Sequence, residues 1–404
     1  MSEPLVVIGN GMAAARFVDE LSTRALGRYA IAVVGEEPRL AYNRVLLSAV
    51  LAKEVEADEI ELKPAEWWRA RGVTLLYGQK AVAIDPAIRR VRLASGATLP
   101  YTRLVLATGS QPIRLSVPGM DLPGVRTFRD LGDVAALDSA ATKALRAVVI
   151  GGGLLGLEAA YGLAKAGADV TLVHLMDRLM ERQLDARAAA LLRAAVEAKG
   201  IRVELAAETA RIRGRKHAEA IELTDGRVLP ADLVVVAVGI RANVALAQSG
   251  GLATNRGIVV NDQMTTSVAN IHAIGECAEH RGQCYGLVEP AHEQARVLAQ
   301  HLAGEPAVYP GSINATNLKV SGVSVFSAGD FLGRDGSEEI VLSDPGLGTY
   351  KKLVIANGRL IGAVLFGDTA DGLWYLDLIR SGRSIETVRS ELIFGRALAG
   401  GLAA

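Results

Sequence analysis

The chain has 404 residues, a length that points to two or three domains. Half of the residues are hydrophobic and 22% are charged, which provides for several cores and excludes global disorder. The 44 Lys and Arg balance the 44 Asp and Glu, so the basic excess of a nucleic-acid or anionic-membrane binder is missing.

Met1-Ser2-Glu3-Pro4 runs straight into Leu5-Val6-Val7-Ile8, with no basic n-region and no long apolar stretch, so no signal peptide is expected. The apolar run at residues 233–238 is too short to span a bilayer. The expectation is a soluble cytoplasmic protein that binds neither nucleic acid nor membrane. Cys277 and Cys284 are too few for an iron–sulfur cluster, a four-cysteine zinc site or a disulfide framework, and no metal site is expected. Glycine, at 43 residues, exceeds the usual ~7% and clusters just after apolar runs.

Leu5-Val6-Val7-Ile8 predicts a strand buried on both faces. Gly9-Asn10-Gly11-Met12-Ala13-Ala14 follows, then a helix over 15–26, a strand over 31–34 and an acid, Glu36. Strand, G-x-G-x-x-A, helix, strand, acid is the dinucleotide fingerprint in its required context. Gly9 makes the turn, Gly11 lets backbone approach a pyrophosphate, and Glu36 can accept from ribose hydroxyls. A bare G-x-G-x-x-G is as often just a tight turn; the flanking strands and acid decide it here. The pattern recurs as a strand over 147–150, Gly151-Gly152-Gly153-Leu154-Leu155-Gly156, a helix over 157–166 and a strand over 170–173. Two fingerprints mean two dinucleotides, and a flavin paired with a nicotinamide makes a hydride relay.

Residues 104–109 and 232–239 read as strands ending in small-residue turns, as at crossings between nucleotide domains. Residues 270–276 form a strand that ends at Glu276, where a carboxylate can meet a ribityl chain. Pro290 opens a helix through Leu302 whose N-terminus can face a flavin. Beyond 311 the pattern changes to strands over 318–326, 339–342, 350–355 and 359–366, a hairpin turn at Asn357-Gly358, and a helix over 373–379. The fold class expected is α/β. It has two Rossmann-like dinucleotide-binding domains and a C-terminal α+β domain. A discontinuous FAD domain (1–115 and 241–311) encloses an NAD(P)H domain (116–240), and the α+β domain covers 312–404.

These motifs resemble the two-dinucleotide flavoprotein reductases of the pyridine-nucleotide-disulfide oxidoreductase superfamily. Glu36-Glu37-Pro38-Arg39, Tyr42-Asn43-Arg44-Val45, Gly151 to Glu158, Gln183-Leu184-Asp185 and Ile274-Gly275-Glu276-Cys277 are similar to the flavin module of NAD(P)H nitrite reductase large subunits, with rubredoxin reductases as near relatives. The departures are informative. Disulfide reductases carry two cysteines with four residues between them on the helix after the first acid, and NADH oxidases carry one; Tyr42 to Leu47 contain none. Electrons are therefore not expected to leave through a thiol there. Full nitrite reductase large subunits continue into iron–sulfur and sirohaem regions, so this chain is not expected to reduce nitrite alone.

The resemblance implies that Gly9, Gly11, Ala14, Glu36, Arg44, Ser48, Val82 (through its backbone, at the adenine), Thr108, Gly109, Gly275, Glu276 and Ala291 line FAD. It likewise implies that Gly151, Gly153, Leu155, Gly156, His174 and Gly239 hold NAD(P)H. Glu158 would lie near flavin N5, where relatives pair it with a lysine. That lysine's place is taken by Ala49, so Arg44 is the replacement partner proposed. The plainer readings are an exposed helix acid for Glu158 and a solvated surface arginine for Arg44. Lys319 would sit beside the flavin from the C-terminal domain.

His174 replaces the usual ribose-binding acid and would not repel a 2′-phosphate, which Arg178 could assist, although no paired arginines follow. NADH is favoured with NADPH left open. The cysteines and Trp67, Trp68 and Trp374 read as packing residues, Trp374 and Tyr375 alternatively as a partner surface.

The function expected is an FAD-dependent NAD(P)H:acceptor oxidoreductase, a monomer or homodimer. It would deliver electrons to a separate redox protein: a nitrate or nitrite reductase subunit, a globin, rubredoxin or ferredoxin. The alternatives are an NADH-sensing flavoprotein with slow turnover, or a quinone reductase anchored by the tail at 385–404.

Overall fold

The computed structural model describes residues 2–141, 146–320 and 322–399; the side chains of residues 141 and 318–320 also lie outside that description. The chain forms two compact units. The first comprises residues up to 50, 55–112 and 240–312; the second comprises 51–54, 113–239 and residues from 313 onward.

In the first unit, five parallel strands lie in the order Ile271–Ala273, Arg103–Leu106, Glu3–Ile8, Tyr29–Gly35, Thr74–Tyr77. Leu5, Val7, Val33, Leu104 and Leu106 are fully buried, as their uninterrupted apolar runs require of a sheet covered on both faces. Helices Met12–Arg24 and Val288–Ala303 pack against each other, and the Tyr29 hydroxyl donates to Leu302 O at 2.9 Å. The first helix starts three residues earlier than expected, because Gly11 is its N-cap and Met12-Ala13-Ala14 are good helix formers. The strands Ala81–Asp85, Arg90–Leu93 and Thr98–Pro100 form a small antiparallel sheet.

The second unit repeats the parallel plan, in the order Arg202–Glu204, Asp169–Val173, Arg146–Ile150, Leu233–Val236, Val125–Thr127. It carries its own small antiparallel sheet, Thr209–Arg213, Ala220–Leu223 and Val228–Pro230. Residues beyond 313 add a five-stranded antiparallel sheet, Ala315–Val320, Val323–Gly329, Arg359–Phe366, Thr349–Ala356, Glu338–Asp344. Helix Gly372–Ser381 packs on it, its Tyr375 sharing one core with Phe326, Leu353 and Leu365.

Two expectations change here. The single strand over 318–326 is two strands of a hairpin, with Val320 opposite Val323 and Gly322 at φ +79°. Tyr375 is buried and its hydroxyl donates to Leu392 O at 2.8 Å, so it packs the core and cannot form a partner surface. The tail offered as an anchor contributes Ile385, Val388, Leu392 and Ile393 to the same core. Among the described residues no helix is long and apolar enough to cross a membrane.

Candidate functional site: two phosphate-cradling turns

In the first unit the turn after Glu3–Ile8 is fixed by Gly9. Its φ is +112°, and a Cβ there would lie 2.0 Å from Ala107 O. Ala14, at the fingerprint's last position, is fully buried where the helix meets the sheet. Gly11 is different: a Cβ there would meet nothing within 4 Å. Helix Met12–Arg24 has no side-chain cap and no acid in its first turn. Its first N–H groups therefore lack intrahelical partners and face open space with the positive end of the dipole.

The second unit copies this. Gly151 has φ +121°, with Ala237 O 2.3 Å from a would-be Cβ, and a Cβ on Gly156 would lie 1.8 Å from Gly151 O. Gly153 is open, and it caps helix Leu154–Lys165, which also has no side-chain cap and no acid in its first turn. Two uncapped helix N-termini, each behind an open glycine, fit the pyrophosphates of two dinucleotides.

Other expected residues lie in the same unit. Gly275 has φ +78° and donates its N–H to Gln294 Oε1 at 2.8 Å. A Cβ on it would lie 2.9 Å from Ala13 and 3.9 Å from Ala291, so it joins the fingerprint helix to helix Val288–Ala303. Glu276 follows and accepts from Ser110 Oγ at 2.7 Å. Thr108 and Gly109 are tied to Asn243. The Thr108 hydroxyl donates to Asn243 O, the Asn243 amide donates to Thr108 O, and the Asn243 N–H donates to Gly109 O. Glu36 is exposed just past Tyr29–Gly35 and receives the Lys80 ammonium at 2.8 Å. Val82 is the extra residue of a bulge: Ala81 pairs with Leu93 and Ala83 with Arg92, leaving the Val82 backbone out of register.

Ser48 lies on the short helix Leu47–Leu51. Arg44, in the preceding 3₁₀ turn, pairs with Glu37 and lies over the Tyr42 ring, whose hydroxyl donates to Glu37 Oε2 at 2.6 Å. Glu37, which the sequence reading did not single out, is therefore the carboxylate that holds Arg44 in the structure; the signal in the sequence is an acid seven residues before an arginine across a turn.

In the second unit, Leu155 sits in the first turn of the fingerprint helix and Glu158 in the next. Glu158 is only 7% exposed, so it is not an ordinary solvated helix acid. Gly239 has φ +114° and accepts from the Ile113 N–H at 3.0 Å. His174 is buried: Nδ1 accepts from the Gly152 N–H at 3.0 Å, and Nε2 lies 3.1 Å from Glu181. The backbone of Lys319 pairs opposite Ser324, and its side chain lies outside the described residues.

Both thiols are free, and burial pushes each above its ordinary pKa. Among the described residues no cluster of His, Cys, Asp and Glu could hold a metal ion.

Residues 3–295 match the family model described as pyridine nucleotide-disulphide oxidoreductase. The chain belongs to that family. Residues 315–383 match the rubredoxin NAD+ reductase C-terminal domain. Nitrite reductase [NAD(P)H] of Bacillus subtilis (strain 168) is 45% identical over 91% of this chain and 46% of its own length. The assimilatory nitrate reductase electron transfer subunit of the same organism is 42% identical over 96% of this chain and 51% of its own. The chain thus spans about half the length of these curated relatives. The putidaredoxin reductase–putidaredoxin covalent complex superposes with a TM-score of 0.88 at 27% identity, covering 99% of both chains. Its fold is the α/β two-dinucleotide type of the pyridine-nucleotide reductases in this family.

Proposed function

We propose that the protein is the electron-input module of nitrate or nitrite assimilation, taking electrons from NAD(P)H and passing them to a separate acceptor protein. The observation that carries this is the 42% identity along 96% of the chain to an assimilatory nitrate reductase electron transfer subunit. The absence of any cysteine between Tyr42 and Leu47 supports it, because electrons then do not leave the flavin through a thiol in that stretch. A cytoplasmic protein that acts as a monomer or homodimer is part of this reading.

Bound FAD would supply the redox chemistry that links NAD(P)H to the acceptor. The chain's own residues bind and orient. Gly11 and the helix behind it hold the FAD pyrophosphate, Glu36 the ribose, the Val82 backbone the adenine, and Glu276, held by Ser110, the ribityl chain. Thr108, Gly109, Gly275, Ala291 and Ser48 shape the walls. Gly153, Leu155 and the second helix hold the NAD(P)H pyrophosphate, with Gly239 beside the turn. Arg44, held by Glu37, with Glu158 and Lys319, are the charged groups assigned to the flavin. The hydride step needs no protein acid or base, so their work is orientation and electrostatics.

The rubredoxin-reductase-type C-terminal match favours a second reading, a reductase of rubredoxin or a ferredoxin. The test is anaerobic reduction by NADH followed by delivery to purified acceptors. A nitrate or nitrite reductase catalytic subunit should be reduced with higher kcat/KM than rubredoxin or ferredoxin, and nitrite alone should not be consumed. The reverse order would favour the second reading. Bleaching by NADH without delivery to any of them would point to the sensing flavoprotein.

A further inference from the structure

On a dinucleotide-binding turn the adenosine ribose lies past the end of the second strand, beside the glycines. In the second unit that strand ends at Val173, and His174 follows. Its imidazole does not project into that space. The ring folds back under the turn, so that a Cβ on Gly152 would lie 2.6 Å from its Cγ. The Gly152 N–H donates to Nδ1 at 3.0 Å. A neutral imidazole that accepts at Nδ1 carries its proton on Nε2. That nitrogen faces Glu181 Oε2 at 3.1 Å, and 10% of the histidine side chain is exposed. Both ring nitrogens are engaged within the protein.

Glu181 is held at the same place by a second set of contacts. The Met180 N–H donates to Gly152 O at 3.0 Å, and Met180 is fully buried. Leu179 Cδ2 would lie 2.8 Å from a Cβ on Gly152. The segment from 174 to 181 therefore closes on a single glycine of the fingerprint. It leaves the Glu181 carboxylate beside the turn with 23% of its side chain exposed. The nearby cations already face carboxylates: Arg178 donates to Asp177 at 3.2 Å, and Arg182 Nε stands 3.9 Å from Glu181 itself.

We propose that Glu181 accepts the 2′- and 3′-hydroxyls of the nicotinamide dinucleotide's adenosine ribose, and that His174 is a positioning residue that holds the carboxylate there. This rests on the second fingerprint being the nicotinamide site. A carboxylate accepts from a diol and repels a 2′-phosphate, so the site selects NADH over NADPH. The acid that the strand end lacks is thus supplied from seven residues further along.

The experiment uses the FAD-loaded full chain. Equilibrium binding of NAD+ and NADP+ is measured by calorimetry beside kcat and KM for both reduced nucleotides. Wild-type protein should prefer NAD+ by about tenfold or more, and 5′-ADP should compete with NADH far better than 2′,5′-ADP. Glu181→Gln should cut the NAD+/NADP+ binding ratio by about tenfold, through KM rather than kcat. His174→Gln should lower the ratio part-way, and in the Glu181→Gln background should move it no further.

An unchanged ratio in Glu181→Gln, with NAD+ still bound, would overturn the assignment of Glu181 and leave the nucleotide site standing. Equal competition by the two ADP isomers in wild type would overturn it without any variant. Failure of wild type to bind either nucleotide, with FAD in place, would overturn the reading of the second fingerprint itself.

Discussion

Gly9 and Gly11 are two residues apart and fail differently when substituted. Gly9 combines φ +112° with a backbone oxygen 2.0 Å from its would-be Cβ. Gly9→Ala adds left-handed strain to overpacking, together about 2–6 kcal/mol, and should give protein that is poorly folded as well as colourless. Gly11 has φ −115° and ψ −168°, a conformation any residue adopts, with open space at its Cβ. Gly11→Val should keep native circular dichroism and lose the yellow flavin absorbance. Full FAD content in Gly11→Val would remove the pyrophosphate from that turn.

His272 gives a second residue-scale prediction. It is 3% exposed, and burial, with His301 and Arg103 nearby, lowers its pKa from 6.5 to about 3. The folded protein holds it neutral while the unfolded chain protonates it near its ordinary value. Its contribution is present above pH 6.5 and is lost as pH falls toward 3, by at most roughly 1.4 kcal/mol per pH unit. Urea denaturation between about pH 7 and 5 should show a shallower pH slope in His272→Gln than in wild type. Equal slopes would mean that His272 takes up its proton in the native state.

At the scale of elements, the turn at Asn357-Gly358 joins strands Thr349–Ala356 and Arg359–Phe366 with φ of +50° and +66°. Both central residues are left-handed, as a two-residue hairpin demands. Asn357→Val puts a β-branched side chain there at a cost of about 1–2 kcal/mol and should lower Tm by several degrees, whereas Asn357→Gly should be nearly neutral. A Tm unchanged by valine would mean that the turn relaxes to another type. This hairpin was legible because its chemistry is local: an Asn-Gly pair between two apolar runs. The parallel strands were legible for a related reason, since an apolar run followed by glycine has few other readings. The antiparallel sheets at 81–100 and 209–230 were not. Strand Arg90–Leu93 reads Arg-Val-Arg-Leu, half exposed, and strands of three to five residues carry too short an alternation to stand out. In the site, Gly9, Gly151 and Gly156 were legible because backbone geometry forces them, and Gly11 and Gly153 because the fingerprint spacing places them. The roles of Glu37 and Glu181 were not, because each depends on a partner across a turn, Arg44 for one and His174 for the other.

At the scale of the whole molecule, each compact unit carries one fingerprint, and no described feature offers a third redox centre. The remaining candidates for an electron route are the two thiols. Cys277 is fully buried and donates to Leu106 O and Ile274 O at 3.4 and 3.3 Å, and its burial disfavours the thiolate. Cys284 is raised by partial burial, with the Glu279 carboxylate adding to the effect. Neither is poised as a nucleophile or a redox partner. Serine at 277 keeps both acceptors, so the double variant Cys277→Ser/Cys284→Ser should lose about 1 kcal/mol of stability and a few degrees of Tm. Its FAD content should match wild type. Its anaerobic reduction by NADH and its delivery of electrons to an artificial acceptor should stay within about twofold, a barrier change under ~0.5 kcal/mol. Loss of NADH reduction with FAD still bound would place a thiol in the path. Retention obliges the electrons to pass from flavin to acceptor directly, so the rate then depends on how closely the acceptor docks.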